Sequence, residues 1–112
     1  MLAKQNRFSG AKDIRRLYKT AQSVRTRNFA LRYHHGRPDG WRVAVVVSKK
    51  VHKSAVVRNR IRRRVYEIIR TDVSSALSGD YLVTVFHASL AVVSHKELQH
   101  ELRNLFAKTG RS

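Results

Sequence analysis

The sequence predicts a small α+β domain, one sheet backed by helices. Three observations predict it. Two runs rich in β-branched and aromatic residues, NFALRY and VAVVVS, flank the turn signal Arg37-Pro38-Asp39-Gly40. Apolar residues recur at helical spacing around Leu17, Ile61 and Leu102. A further strand-like run, YLVTVF, separates the second and third helical stretches. The order is α-β-β(-β)-α-β-α, with the bracketed strand a short edge segment, SVRT. Residues 1–112 suit one domain with one modest core, and no repeat, linker or low-complexity tract divides them.

Each element has a local reason. Ser9 is placed to cap a first helix with Ala11, Ile14, Leu17, Tyr18 and Ala21 on its apolar face. Lys12, Arg15, Arg16 and Lys19 fall on the other face. In NFALRY, Phe29, Leu31 and Tyr33 alternate with Ala30, Arg32 and His34, so one face is half-buried. Pro38 presets φ and Gly40 tolerates positive φ, so NFALRYHH and RVAVVV read as a hairpin. The run Val43 to Ser48 has the composition of a central strand. A second helix is expected from Ala55 to Leu77, ended by Ser78-Gly79-Asp80. On its wheel Val57, Ile61, Val65, Ile68 and Ile69 lie together; Asn59, Arg63, Tyr66 and Arg70 lie opposite. Tyr81 to Phe86 is a strand. Ser94 and Glu97 form a capping box for a last helix carrying Leu98, Leu102, Leu105 and Phe106.

Charge then narrows the function. There are 24 Lys and Arg against 7 Asp and Glu, a formal net charge of +17. A domain with that excess repels itself unless an anion lies against it, and nucleic acid is the leading partner class. No apolar run reaches the roughly 18–20 residues of a membrane span, so a membrane partner is not expected. The N-terminal MLAKQNRFSG has no hydrophobic signal core and the chain has no Cys, which fits a cytoplasmic protein.

Catalytic patterns are missing. There is no Gly-rich phosphate loop. The acids, Asp13, Asp39, Glu67, Asp72, Asp80, Glu97 and Glu101, are scattered over separate elements, whereas a two-metal nuclease gathers carboxylates at one place. His95 and His100 are five apart, the wrong spacing for one helix face, and the other histidines read as surface residues. His52, in a basic loop, is placed to approach a phosphate. No catalytic residue and no protein metal site is assigned.

The strong signal is basic. From Arg42 to Arg70 there are ten Lys and Arg with only Glu67 against them. Lys49, Lys50 and Lys53 lie in the loop feeding the second helix, and Arg58-Asn59-Arg60 lies in its first turns. Cations there are mildly unfavourable for the helix, because its N-terminal end already carries partial positive charge. Backbone N–H groups and guanidinium forks facing one way make an anion site. Asn59 adds a donor and an acceptor suited to a ribose or base edge. Tyr18, Phe29 and Tyr33 offer a floor on which a single strand can stack. A small structural RNA-binding protein, such as a ribosomal protein, fits the same composition.

At these residues the chain resembles a known family. SKKVHKSAVVRNRIRRRVYEIIR is similar to the signature region of the bacterial ribonuclease P protein subunit: paired lysines after a strand, a loop, then Arg-Asn-Arg on a basic helix. The resemblance extends over nearly the whole chain, including Arg7, the RNF at Arg27 to Phe29 and the closing helix. It implies a mostly antiparallel central sheet with a left-handed βαβ crossover, the ribosomal protein S5 domain 2-like fold. It implies the non-catalytic subunit of a ribonucleoprotein endonuclease that removes the 5′ leader of precursor tRNA. The active site and its Mg²⁺ ions would belong to the RNA, with which the protein pairs 1:1. The protein would raise affinity for metal and substrate and broaden the ribozyme's specificity. Carried over by position, Lys49, Lys50, Lys53, Arg58, Asn59, Arg60, Arg62 and Arg63 would contact the catalytic RNA. Ile14, Tyr18, Phe29 and Leu31 would lie along the leader cleft between the first helix and the sheet. The family commonly has two aromatics four apart on that helix, where this chain has Ile14 and Tyr18. Tyr66 stands where the basic helix often carries another Arg, with Arg64 and Arg70 as nearby substitutes.

Overall fold

A computed structural model describes residues 11–20, 22–35 and 40–109. Along the chain run α1 (Ala11–Thr20), β1 (Gln22–Arg25), β2 (Phe29–His35), β3 (Trp41–Val46), α2 (Ala55–Ile68), β4 (Gly79–Val85) and α3 (His95–Ala107). The expected cap at Ser9, the segment Arg37-Pro38-Asp39 and Arg7 lie outside the described residues.

The four strands form one sheet in the order β1-β2-β4-β3. β1 pairs antiparallel with β2, β2 antiparallel with β4, and β3 parallel with β4. The element order and the mostly antiparallel α+β sheet agree with the sequence. The hairpin does not: β2 and β3 never pair, because β4 lies between them. β4 takes the centre because nearly all of its residues are buried, whereas β2 and β3 each alternate or end half-exposed. The valine-rich β3 is therefore an edge strand. Its parallel pairing with β4 requires a crossover, and α2 is that crossover. Gly79 shows how tightly the strands meet. Its φ is +137°, and a Cβ there would stand 2.2 Å from the backbone oxygen of His34. Gly40 also has positive φ, as the turn signal required.

The pleat divides the sheet into two faces. Phe29, Leu31, Tyr33, Val43, Val45, Tyr81, Val83 and Val85 point to one face, the main core. Ile61, Val65 and Ile68 of α2 and Leu98, Leu102, Leu105 and Phe106 of α3 cover it. The other face carries α1 through a small cluster, with Leu17 on Ala44 and Leu82, flanked by Ile14 and Val46. An ion pair reinforces it: Arg16 donates to Asp80 Oδ2 at 2.8 Å, while Arg42 grips both Asp80 oxygens at 3.0 Å.

α2 starts at Ser54, whose hydroxyl accepts from the Val57 N–H. The helical path continues to Ala76, one residue short of the expected end at Leu77, but widens into a π turn over Ile69–Val73 and tightens into a 3₁₀ turn over Ser74–Ala76. Tyr66 corrects the helical wheel. It is buried, and its hydroxyl accepts from the Val45 N–H at 3.0 Å, tying the crossover helix to β3. A tyrosine can bury its ring and still satisfy its hydroxyl, so the position that the wheel assigned to the basic face belongs to the core. α3 opens as expected, the Ser94 hydroxyl accepting from the Glu97 N–H at 3.1 Å.

Candidate nucleic-acid interface

Two surfaces emerge from this frame, both meeting the end of the sheet where β3 and β4 finish.

The first is the basic loop and the opening of α2. Lys49, Lys50, Lys53, Asn59, Arg60 and Arg63 are exposed; Arg58 and Arg62 are half-buried. None of these cations has a carboxylate within ion-pair distance among the described residues. The loop is braced from within. Arg58 Nη1 donates to the backbone oxygens of His52 and Lys53, each at 2.9 Å. The Ser54 N–H donates to His52 Nδ1 at 3.0 Å, which fixes that nitrogen as the acceptor and leaves Nε2 facing outward from the bond. Arg62 donates to Asn59 Oδ1, orienting the Asn59 amide. Arg58 is therefore as much a clamp on the lysine loop as a contact in its own right.

The two arginines named as substitutes for Tyr66 do not serve that role. Arg64 donates to the backbone oxygens of Leu90 and Val93, holding the 3₁₀ turn Ala88–Ala91 against α2. Arg70 is paired with Glu67 on the exposed surface, and this hydrogen bond holds the Glu67 carboxyl below its ordinary pKa.

The second surface is the strip of sheet beside α1. Register aligns Ala30, Thr84 and Val46 across three strands, one row beyond Leu82 and Ala44, where Leu17 packs. All of that row are half-buried. Tyr18 is 46% exposed, and the Arg32 guanidinium lies 4.6 Å from its ring centroid. Ile14 is half-buried beside Leu17. This open strip runs off the end of β3 toward Lys49.

Here two sequence assignments need correction. Phe29 and Leu31 are 0% exposed and belong to the α2–α3 core, on the opposite face of the sheet from α1. Alternation decides this: Ala30 and Arg32 face α1, so Phe29 and Leu31 cannot. Tyr33 is buried with them. The floor beside α1 is Ala30, Thr84 and Val46, small residues that give no signal in sequence. Ile14 and Tyr18 do border that strip.

Sequence reasoning also missed the anchors. Asp80, read as a turn residue, is a buried strand carboxylate gripped by two arginines. An acid beside an apolar strand core was the available sign. Asn28 links β2 to α3 through Glu101 at 2.7 Å. Asp72 accepts from Gln99 and lies 3.7 Å from Arg103. Glu67, Asp72, Asp80 and Glu101 are thus each engaged in a separate pair, and no three metal-ligating side chains converge among the described residues.

Comparison with known proteins places this geometry. The family model described as Ribonuclease P matches residues 2–110. A ribonuclease P protein component of Pseudanabaena sp. (strain PCC 6903) is 31% identical over 109 residues, covering 96% of this chain and 94% of that protein. The corresponding protein of Clostridioides difficile (strain 630) is also 31% identical, covering 93% and 94%. Among solved structures, a Staphylococcus aureus RNase P protein mutant with defective mRNA degradation activity aligns with a TM-score of 0.84 at 26% identity, over 97% of this chain and 92% of that one. The RNase P protein from Thermotoga maritima, at 23% identity over 88% and 93%, shares the fold with a TM-score of 0.76.

Proposed function

The chain belongs to the ribonuclease P protein family, and on that premise we propose how its two surfaces divide the work. The protein is the protein subunit of ribonuclease P, acting in maturation of tRNA 5′ ends. The alternative of a structural RNA-binding protein of the ribosomal kind is not favoured. Its partner is the RNA subunit, taken here as one protein per RNA in the cytoplasm.

The catalytic RNA lies against the lysine loop and the outer face of α2. Lys49, Lys50, Lys53, Arg60 and Arg63 meet its phosphates, Asn59 and Arg62 act as a pre-oriented pair, and Arg58 holds the loop in place. One observation carries this reading: a run of exposed cations with no carboxylate partners among the described residues, braced by hydrogen bonds to its own backbone. Such a surface costs the free protein self-repulsion that an RNA backbone relieves.

The 5′ leader of precursor tRNA runs along the strip of Ala30, Thr84 and Val46, beside Tyr18. This direction leads a single strand from α1 to the lysine loop, and so toward the RNA subunit. Small floor residues let the backbone approach, while Tyr18 and Arg32 offer a stacked pair for a base. Phosphodiester hydrolysis is then the RNA's chemistry. Mg²⁺ would be bound mainly by the RNA; among the described residues Glu67, Asp72, Asp80 and Glu101 are already engaged in ion pairs or hydrogen bonds. The protein's contribution is to position the leader and neutralise phosphates close to the metal site.

Tyr18→Ala tests the leader assignment. The holoenzyme should bind precursor tRNA about five- to tenfold more weakly, the loss of one stacking contact. Mature tRNA, which has no leader, should bind as before. Equal losses for both would remove Tyr18 from the leader path.

A further inference from the structure

A third site lies where β4 finishes and β2 begins. A cleft of about 470 Å³ opens there between Arg27, Asn28, His87, Ala88 and Ser89. Its back wall is a hydrogen-bonded relay. Asn28 Nδ2 donates to Glu101 Oε1 at 2.7 Å, which leaves Asn28 Oδ1 toward His87 Nδ1 at 2.9 Å. An amide oxygen only accepts, so His87 Nδ1 carries the proton and Nε2 is left for a ligand. Beside the cleft, the Arg25 guanidinium lies 4.7 Å from the Phe86 ring centroid.

Ion pairing does not account for these cations. Arg25 and Arg27 are exposed, and among the described residues neither has a carboxylate partner or a guanidinium hydrogen bond. Glu101, the acid at this site, already accepts from Asn28. Contrast Arg64 and Arg42, each tied to a carbonyl or carboxylate.

The register shows where the cleft stands. Arg25 pairs with Ala30, Phe29 with Val85, and Thr84 with Val46. The ends of β1, β3 and β4 and the start of β2 thus share one end of the sheet. The loop of Lys49, Lys50 and Lys53 leaves β3 at the same end. Strands about 4.8 Å apart put β1 roughly 15 Å from β3. A basic rim therefore crosses the sheet's width, within reach of one short single strand.

We propose that this cleft is a second RNA contact, a subsite for one unpaired ribonucleotide whose base stacks on the Arg25 guanidinium, whose phosphate is held by Arg27 and whose ribose 2′-OH donates to His87 Nε2. The subsite rests on the reading of the chain as an RNA-binding subunit, and it is separate from both surfaces assigned above. Every base has a π-face, so it accepts any base. A paired nucleotide is refused, because its base is already stacked within a helix. The nucleotide comes either from the precursor leader or from an unpaired position of the RNA subunit.

Arg25→Lys is the informative change. It keeps the charge and removes the planar face, at an exposed position where folding is not at risk. The measurements are protein binding to ribonuclease P RNA, and holoenzyme binding to precursor and mature tRNA, each over a range of salt. Lys96→Ala, an exposed cation on α3, serves as the control. Arg25→Lys is expected to weaken binding about fivefold with an unchanged salt slope, as for a lost stacking contact. Arg27→Ala is expected to lower the slope by about one, as for a lost phosphate contact. Loss confined to precursor assigns the nucleotide to the leader; loss in assembly assigns it to the RNA subunit. If wild-type protein binds and Arg25→Lys matches it in every arm, the subsite is wrong while the subunit reading stands. If wild-type protein fails to bind ribonuclease P RNA at all, the subunit reading falls and the subsite with it.

Discussion

Arg58 and Arg60 are two positions apart on α2 and differ in what they do. Arg60 is exposed and has no ion-pair partner among the described residues, so Arg60→Ala removes one of the proposed phosphate contacts. Binding to the RNA subunit should weaken, and the slope of log affinity against log salt should fall by about one. Arg58 bonds two loop carbonyls, so Arg58→Ala also frees the segment bearing Lys49, Lys50 and Lys53. Its loss should be larger and its slope change greater than one. A salt titration of both variants checks this; equal behaviour would deny Arg58 its bracing role. Tyr66→Phe addresses the opposite prediction. It leaves the Val45 N–H without its partner and should cost about 1–2 kcal/mol in denaturant unfolding, with RNA affinity unchanged. The exposed arginines were legible in sequence because charge of one sign without acids has few structural explanations. Tyr66 was not, since a residue with an apolar ring and a polar tip suits either face of a helix.

At the scale of elements, strand and helix positions followed from periodicity, and strand pairing did not. Composition marks both β3 and β4 as apolar, and nothing local says which one is central. The close approach at Gly79, where the backbone of β4 meets His34, is a long-range fact. For the same reason the faces of β2 were readable as a pattern, but which of them meets α1 was not. That choice moved Phe29 and Leu31 from the leader path into the core. The docking of α1 is the weak joint of the fold. It depends on Leu17 against Ala44 and Leu82 and on Arg16 with Asp80. Leu17→Ala should cost about 2–4 kcal/mol. Hydrogen exchange of the α1 amides should then quicken while β4 remains protected. Affinity should fall for precursor and hold for mature tRNA, because α1 is one wall of the proposed leader strip. Uniform loss of protection across α1 and β4 would show that α1 is not an independent unit.

For the molecule as a whole, the net charge of +17 is the governing quantity. The main core behind the sheet is built from α2 and α3, which leaves α1, the sheet's other face and the outer side of α2 as the surfaces proposed for RNA. Three of the acids hold elements together: Asp80 for α1, Glu101 for the start of β2, Asp72 for the turn that follows α2. On the proposed reading the protein supplies positioning and phosphate neutralisation, and bond cleavage is left to the RNA. The direct test is cleavage of a precursor tRNA at low Mg²⁺ by ribonuclease P RNA alone, by this protein alone, and by the two together. Cleavage at the mature 5′ end should be fast only in the mixture. Cleavage by the protein alone would place an active site on this chain, and a mixture no faster than the RNA alone would deny it the role of ribonuclease P subunit.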